Sequence, residues 1–195
     1  THQCCEDIAL MRSIPGMVVL NPADHYEMQA AVKAAAEYVG PVYIRLGRLA
    51  VESCNNNDDY TFEIGKGITL RDGKDITVIA TGLMVGEAVK AVKALEAAGI
   101  DVRLIDMHTI KPLDEELVLK AAKETGRIVT VEEHNVVGGL GDAVSSYLSE
   151  VCPTPVTKIG VKDVFGHSGP AVDLLKEFGL SAENIEATVK KVLGK

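Results

Sequence analysis

Two acids and a histidine stand together at Glu132-Glu133-His134, and a glycine-rich turn follows in "VEEHNVVGGLGDAV", residues 131–144. Neighbouring carboxyl and imidazole groups are the usual material of general acid–base chemistry. The turn lies between an apolar run, "RIVTV", and a stretch of helical character, a place where pyrophosphates settle on helix N-termini. As a dinucleotide loop the pattern is broken. Gly139-x-Gly141 has Val144 where a third small residue is needed, and the acidic residue due about 20 positions on has only Asp163 to supply it. The turn also follows two strand–helix units instead of opening the first. It reads as a packing device, in which small residues let a helix over 140–150 start tight against a sheet. An anion at that helix N-terminus stays open on dipole grounds. With no second catalytic candidate nearby in sequence, Glu132, Glu133 and His134 read as interface or structure.

Other chemistry-bearing side chains are scattered. Arg45 and Arg48 follow the strand-like "VYIRL", at the strand end where α/β sheets place ligands. A guanidinium matches phosphate in a planar, bidentate way that lysine does not. His2 stands near the start of the chain; by itself it reads as a surface histidine. His25, His108 and His167 have no evident role, and Glu115-Glu116 open a helix, where acids complement the dipole. Cys4, Cys5, Cys54 and Cys152 make neither a zinc spacing nor a disulfide framework and read as reduced thiols.

The elements that must position these groups alternate. A helix over 3–14 ends at "IPG", and "MVVLN" is a short strand. Asp24 caps a helix, with Glu27 as its capping-box partner, ending at Gly40-Pro41 before "VYIRL". The polar stretch "ESCNNNDDY" reads as a linker. Beyond it, "FEIGKGITLRDGKDITVIATG" reads as strands joined by a turn at Asp72-Gly73. Helices over 84–98, 112–126, 140–150 and 181–193 then alternate with strands "DVRLIDM", "RIVTVEE" and "PVTKIGV". This order implies βαβ units with right-handed crossovers and a largely parallel sheet covered by helices.

The 195 residues carry a net charge of −8, with 47% apolar and 25% charged side chains. That fits a soluble globular chain with a sizeable core. The negative charge and lack of a basic patch argue against a nucleic-acid partner, and no apolar run approaches the ~20 residues of a membrane span. No leader opens the chain, so the expected location is cytoplasmic. The start at Thr1, without methionine, raises the expectation of an N-terminal part upstream.

Several segments together resemble one family. "THQCCEDIALMRSIPGM" and "NPADHYEMQAAVKAAAEYVGPVYIRLGR" are similar to the end of the pyrimidine-binding domain of transketolases. "ITVIATG", "VEEHNVVGGLGDAV" and "FGHSGPAVDLLKEFGLSAENI" are similar to successive parts of that family's C-terminal domain. The likeness is collinear over essentially the whole chain and is greatest to the C-terminal subunits of split transketolases. It implies an α/β chain in two parts. Residues 1–55 would be the C-terminal part of a thiamine-diphosphate pyrimidine-binding domain, and residues 60–195 a three-layer αβα C-terminal domain with a mostly parallel sheet.

The resemblance also implies an activity: transfer of a two-carbon ketol unit between sugar phosphates, with thiamine diphosphate and Mg²⁺ or Ca²⁺ in the complete enzyme. His2 matches an active-site histidine that hydrogen-bonds the sugar near the reacting carbon. Arg48, seven residues after Pro41, matches the arginine that grips the sugar's phosphate, although "GRL" departs from the more usual "SRQN". No Gly-Asp-Gly diphosphate motif is present, so no cofactor-binding or metal-binding residue is expected here, and the chain alone is expected to be inactive. Its expected partners are an N-terminal transketolase portion or subunit, in a homodimer or α2β2 assembly. Part of a 1-deoxy-D-xylulose-5-phosphate synthase, which usually carries "YPRG" where this chain has "LGRL", is the alternative within the same chemistry. A non-catalytic anion-binding or assembly domain is the alternative outside it.

Overall fold

The computed structural model describes residues 4–55 and 60–195. The expectation on His2 falls outside them. Two sheets organise the chain. The larger is built from β3 (Ile68–Arg71), β4 (Ile76–Ala80), β5 (Val102–Asp106), β7 (Ile128–Asn135) and β8 (Val156–Val161), in the order β3-β5-β4-β7-β8. All its pairings are parallel except β3 with β5.

Every residue of β4 and β5 is buried, as a parallel sheet covered on both faces requires. Strand alternation then divides the core. Ile76, Val78 and Ala80 pack with α3 (Met84–Ala97) and α7 (Ala182–Leu193), while Ile79 packs with α4 (Glu115–Thr125) and α5 (Leu140–Val151) on the opposite face. The result is a three-layer αβα unit with a mostly parallel sheet. Local chemistry sets the helix ends. Asp114 and Ser181 accept N–H bonds at the starts of α4 and α7, and Gly126 closes α4 in the left-handed conformation at φ 69°. Only glycine adopts that conformation without penalty.

The smaller sheet has the order β2-β1-β6, with β1 (Val18–Leu20) parallel to β2 (Val42–Ile44) and antiparallel to β6 (Thr109–Lys111). Ile8 of α1 (Asp7–Ser13) packs with Val19 and Ile110; Ala31 of α2 (His25–Glu37) packs with Val18 and Leu20.

Several readings of the sequence need correction. The strands on either side of Asp72-Gly73 do not form a hairpin, because β5 lies between them. Gly73 passes so close to β5 that a Cβ there would stand 2.3 Å from the Val102 carbonyl carbon. Strand β2 ends at Ile44, two residues before "VYIRL" does. Strand β6 and helix α6 (Ala171–Glu177) were not foreseen. The capping box is also shifted by one residue: Asp24 accepts from Glu27 N as expected, but the Glu27 carboxylate turns back to Ala23 N.

Asp114 does two jobs, accepting from Leu117 N at 3.0 Å and from Gly67 N at 3.0 Å. Asp114→Ala should lose a cap worth about 1 kcal/mol and strand a further N–H at roughly 1–3 kcal/mol. Ser181→Ala loses only a 3.4 Å exposed contact and should cost about 0.5 kcal/mol. Urea midpoints of the two variants test this; equal shifts would refute the double role of Asp114.

Candidate functional site

The glycine turn holds an anion after all, and the anion belongs to the chain. Glu132, fully buried on β7, accepts from Leu140 N at 2.6 Å and from Gly141 N at 2.9 Å. Those are first-turn donors of α5, which any phosphate at this helix end would need. The glycines make room for the arrangement. A Cβ on Gly139 would stand 1.9 Å from the Glu132 Oε2, and one on Gly141 would stand 2.7 Å from the Thr130 Oγ1 and 2.8 Å from the Lys158 Cγ. Burial pushes the Glu132 carboxyl up to about 7, against the pull of its two N–H donors and of Arg12. Arg12, reaching over from α1, donates to the carbonyls of Gly138 and, at 2.8 Å, Gly139. Asp142 accepts from Gly138 N and from Lys158 Nζ. Every polar group of the turn named here is thus spent on the fold.

His134 is as fully enclosed. Its Nδ1 lies 2.7 Å from the Asn135 carbonyl and its Nε2 accepts from Ala9 N at 3.3 Å. That pairing specifies a neutral ring protonated at Nδ1, and burial holds its pKa below the ordinary histidine value. Neither nitrogen is free to take a substrate proton, so His134 is a structural histidine clasping α1.

Glu133 points the other way, to Arg45, at 3.1 Å. The Arg45 guanidinium also binds both Asp7 oxygens, at 3.0 and 3.3 Å, and the Cys4 carbonyl at 3.3 Å. Tyr43 donates to Asp7 at 2.8 Å. One arginine therefore ties α1, the end of β2 and β7 together.

This settles how the two arginines differ. Because β2 stops at Ile44, strand alternation does not reach either of them. Arg45 turns inward and is saturated by carboxylates; Arg48 lies exposed in the following loop. Next to it, a Cβ on Gly47 would lie 3.8 Å from the Leu83 Cδ2, at the start of α3. Of the two residues singled out for substrate, Arg48 is thus on an open surface at the end of β2, and His2 lies outside the described residues. Sequence reasoning missed Arg12, Asp7 and Arg45 as a framework, since each acts on residues distant in the chain.

Gly139→Ala should drive Glu132 off the helix and strand two buried donors, a loss of roughly 2–4 kcal/mol. Glu132→Ala strands the same donors. The two changes should therefore be strongly sub-additive in a double-mutant cycle on denaturation midpoints; full additivity would show that the glycine serves something other than the carboxylate.

The comparisons with known proteins agree with this architecture. The family model described as "Transketolase, C-terminal domain" matches residues 65–185, and that described as "Transketolase, pyrimidine binding domain" matches residues 1–53. The chain is 46% identical over 197 residues to a putative transketolase C-terminal section of Methanocaldococcus jannaschii, covering 100% of this chain and 61% of that protein. It is 44% identical over 193 residues to a 6-deoxy-6-sulfo-D-fructose transketolase subunit of Clostridium sp., covering 98% and 59%. A solved split-gene transketolase, described as an inactive β4 tetramer, matches with a TM-score of 0.92 at 49% identity, over 99% of this chain and 62% of that one. The chain thus spans from 59% to 62% of the length of these relatives. With its αβα unit carrying the C-terminal-domain match, this chain belongs to the transketolase family.

Proposed function

We propose that this chain is the C-terminal part of a ketol transferase acting on sugar phosphates. Residues 1–55 would complete a pyrimidine-binding domain contributed mainly by another segment or subunit, and residues 60–195 would form the C-terminal domain. The observation that carries the reading is the contrast between the two arginines. Arg45 is consumed by Asp7 and Glu133, whereas Arg48, three residues on, is exposed at a strand end. A fixed neighbour anchors the loop from which the exposed guanidinium can reach a phosphate. His2, five residues before Asp7, is proposed to donate to the sugar's oxygens as charge builds on them.

In this reading the N-terminal partner holds the diphosphate of thiamine diphosphate and its divalent ion, and this chain supplies substrate contacts and dimer surface. The glycine-rich helix end, where a diphosphate could otherwise settle, is occupied by Glu132. The same closure weighs against an anion-binding regulatory role at the turn. The subunit name of the Clostridium relative and the inactive β4 state of the solved one support the need for a partner chain; the assembly we propose is a homodimer or α2β2. No described helix is long and apolar enough to cross a membrane.

In the assembled enzyme, Arg48→Ala should raise KM for phosphorylated sugars and barely change turnover of unphosphorylated analogues. A charge-assisted phosphate contact contributes about 1.5–3 kcal/mol, or roughly 10- to 150-fold. Equal losses on both substrate types would remove Arg48 from the site. Calorimetric titration of the chain alone with thiamine diphosphate and Mg²⁺ should give no tight binding, and ketol transfer should need the N-terminal partner. Tight binding or transfer by the chain alone would overturn the division of labour.

A further inference from the structure

Away from Glu132, three more carboxyl groups meet where α2, the Cys54–Asn55 segment, Tyr60 and β5 come together. Asp24 caps α2, Glu27 lies in its first turn, and Asp106 ends β5. Glu27 and Asp106 are completely buried, and Asp24 is 4% exposed. Among the described residues, no lysine, arginine or histidine is hydrogen-bonded or ion-paired to any of the three. An uncompensated buried charge costs far more than a buried neutral acid, so three ionised carboxylates here would be untenable.

The hydrogen bonds identify which group is neutral. Asp24 accepts only: from Glu27 N at 3.0 Å, Cys54 N at 2.8 Å and Asn55 N at 2.7 Å. Glu27 has both oxygens occupied as acceptors, Oε2 by Ala23 N at 2.6 Å and Oε1 by the Tyr60 hydroxyl. Asp106 differs. Its Oδ2 accepts from Asn55 Nδ2 at 3.3 Å, but its Oδ1 is buried with no donor among the described residues. The Glu27 and Asp106 carboxyls lie within hydrogen-bonding reach of each other. A proton on Asp106 Oδ1 turns that contact from a repulsion into a bond and leaves no orphaned atom.

We propose that Asp106 is a neutral carboxylic acid in the folded chain, donating from Oδ1 to the Glu27 carboxylate, and that this proton latches the α2 corner, Asn55 and Tyr60 onto the end of β5. This inference stands on the carboxyl geometry and is independent of the proposed ketol transfer. The titratable neighbours reinforce it. Among the described residues the groups facing the pair are Asp24, Tyr60 and Cys54, each neutral or negative; burial, seconded by the nearby acids, pushes the half-buried Cys54 thiol up to about 12. Burial holds Asp106 well above the ordinary aspartate value and lifts Glu27 to about 7. An acid whose folded pKa lies above its unfolded one stabilises the fold fully below the unfolded value and loses that contribution as pH rises through the folded one. The latch therefore weakens on the alkaline side, as the pair gives up its last proton.

The isostere that imitates a protonated Asp106 is asparagine: its amide donates to Glu27 and its carbonyl still accepts from Asn55. Carbon-13 labelling of aspartate alone, which removes Glu27 and Glu132 from view, should reveal one neutral carboxyl in the full chain at about pH 7, where an ordinary aspartate is ionised. Asp106→Asn should abolish that signal. Melting temperature should fall less steeply between about pH 6 and about pH 9 in Asp106→Asn than in the parent chain, in proportion to one proton fewer released. Absence of a neutral aspartate in the parent chain would overturn the proposal even if the variant failed to fold, and so would an unchanged pH slope in a folded Asp106→Asn.

Discussion

The contact between the Glu132 carboxylate and the first amides of α5 is the constraint on which the shape of the glycine turn depends. Glu132 projects from β7, an interior strand of the αβα unit's sheet, and ends on the helix packed against it. Its geometry demands glycine at 139, which sets the shape of the turn. The carbonyls of that turn then receive Arg12, which brings in α1. Helix dipole and carboxylate charge complement each other here as they would with a phosphate, but with the partner built in. The site is therefore rigid and self-contained where a cofactor loop would have to be open.

The second organising feature is Arg45. By binding Asp7, Glu133 and the Cys4 carbonyl at once, it joins the small sheet to the large one through charge in a largely buried setting. Removing either carboxylate would leave charge underpaired there, a situation that costs more than the net gain from forming the pair. That asymmetry keeps the loop after β2 fixed at its root while leaving Arg48 exposed.

Much of this was legible in the sequence wherever the governing interaction is local. Asp114, Ser181 and Gly126 mark helix ends because capping involves residues within one turn, and the apolar runs of β4, β5 and β7 announce a sheet covered on both faces. Legibility failed where the partner is remote. Asp72-Gly73 carries a genuine turn signal, yet what fills the gap between its flanking strands is β5, placed there by a crossover through α3. Strand β6 is three residues between His108 and Pro112, and only β1, some ninety positions earlier, gives it a reason to be extended. Glu132, Glu133 and His134 were visible as a group, but their three divergent partners were not, and the contrast between Arg45 and Arg48 depended on where β2 stops. His2 and Arg48 became candidates through family resemblance, not through spacing.

Strand β6 carries one more implication. The chain leaves the large sheet at the end of β5, lends three residues to the small sheet, and returns to the large one through α4. Any recombination that joined residues 1–55 to a foreign C-terminal domain would strip β1 of its antiparallel neighbour and leave a raw, apolar edge of the kind that templates aggregation. Evolution could exchange these two parts freely only between relatives that keep the β6 segment compatible. The seam that matters for shuffling this protein therefore runs through residues 109–111 as well as through the polar stretch at 52–60.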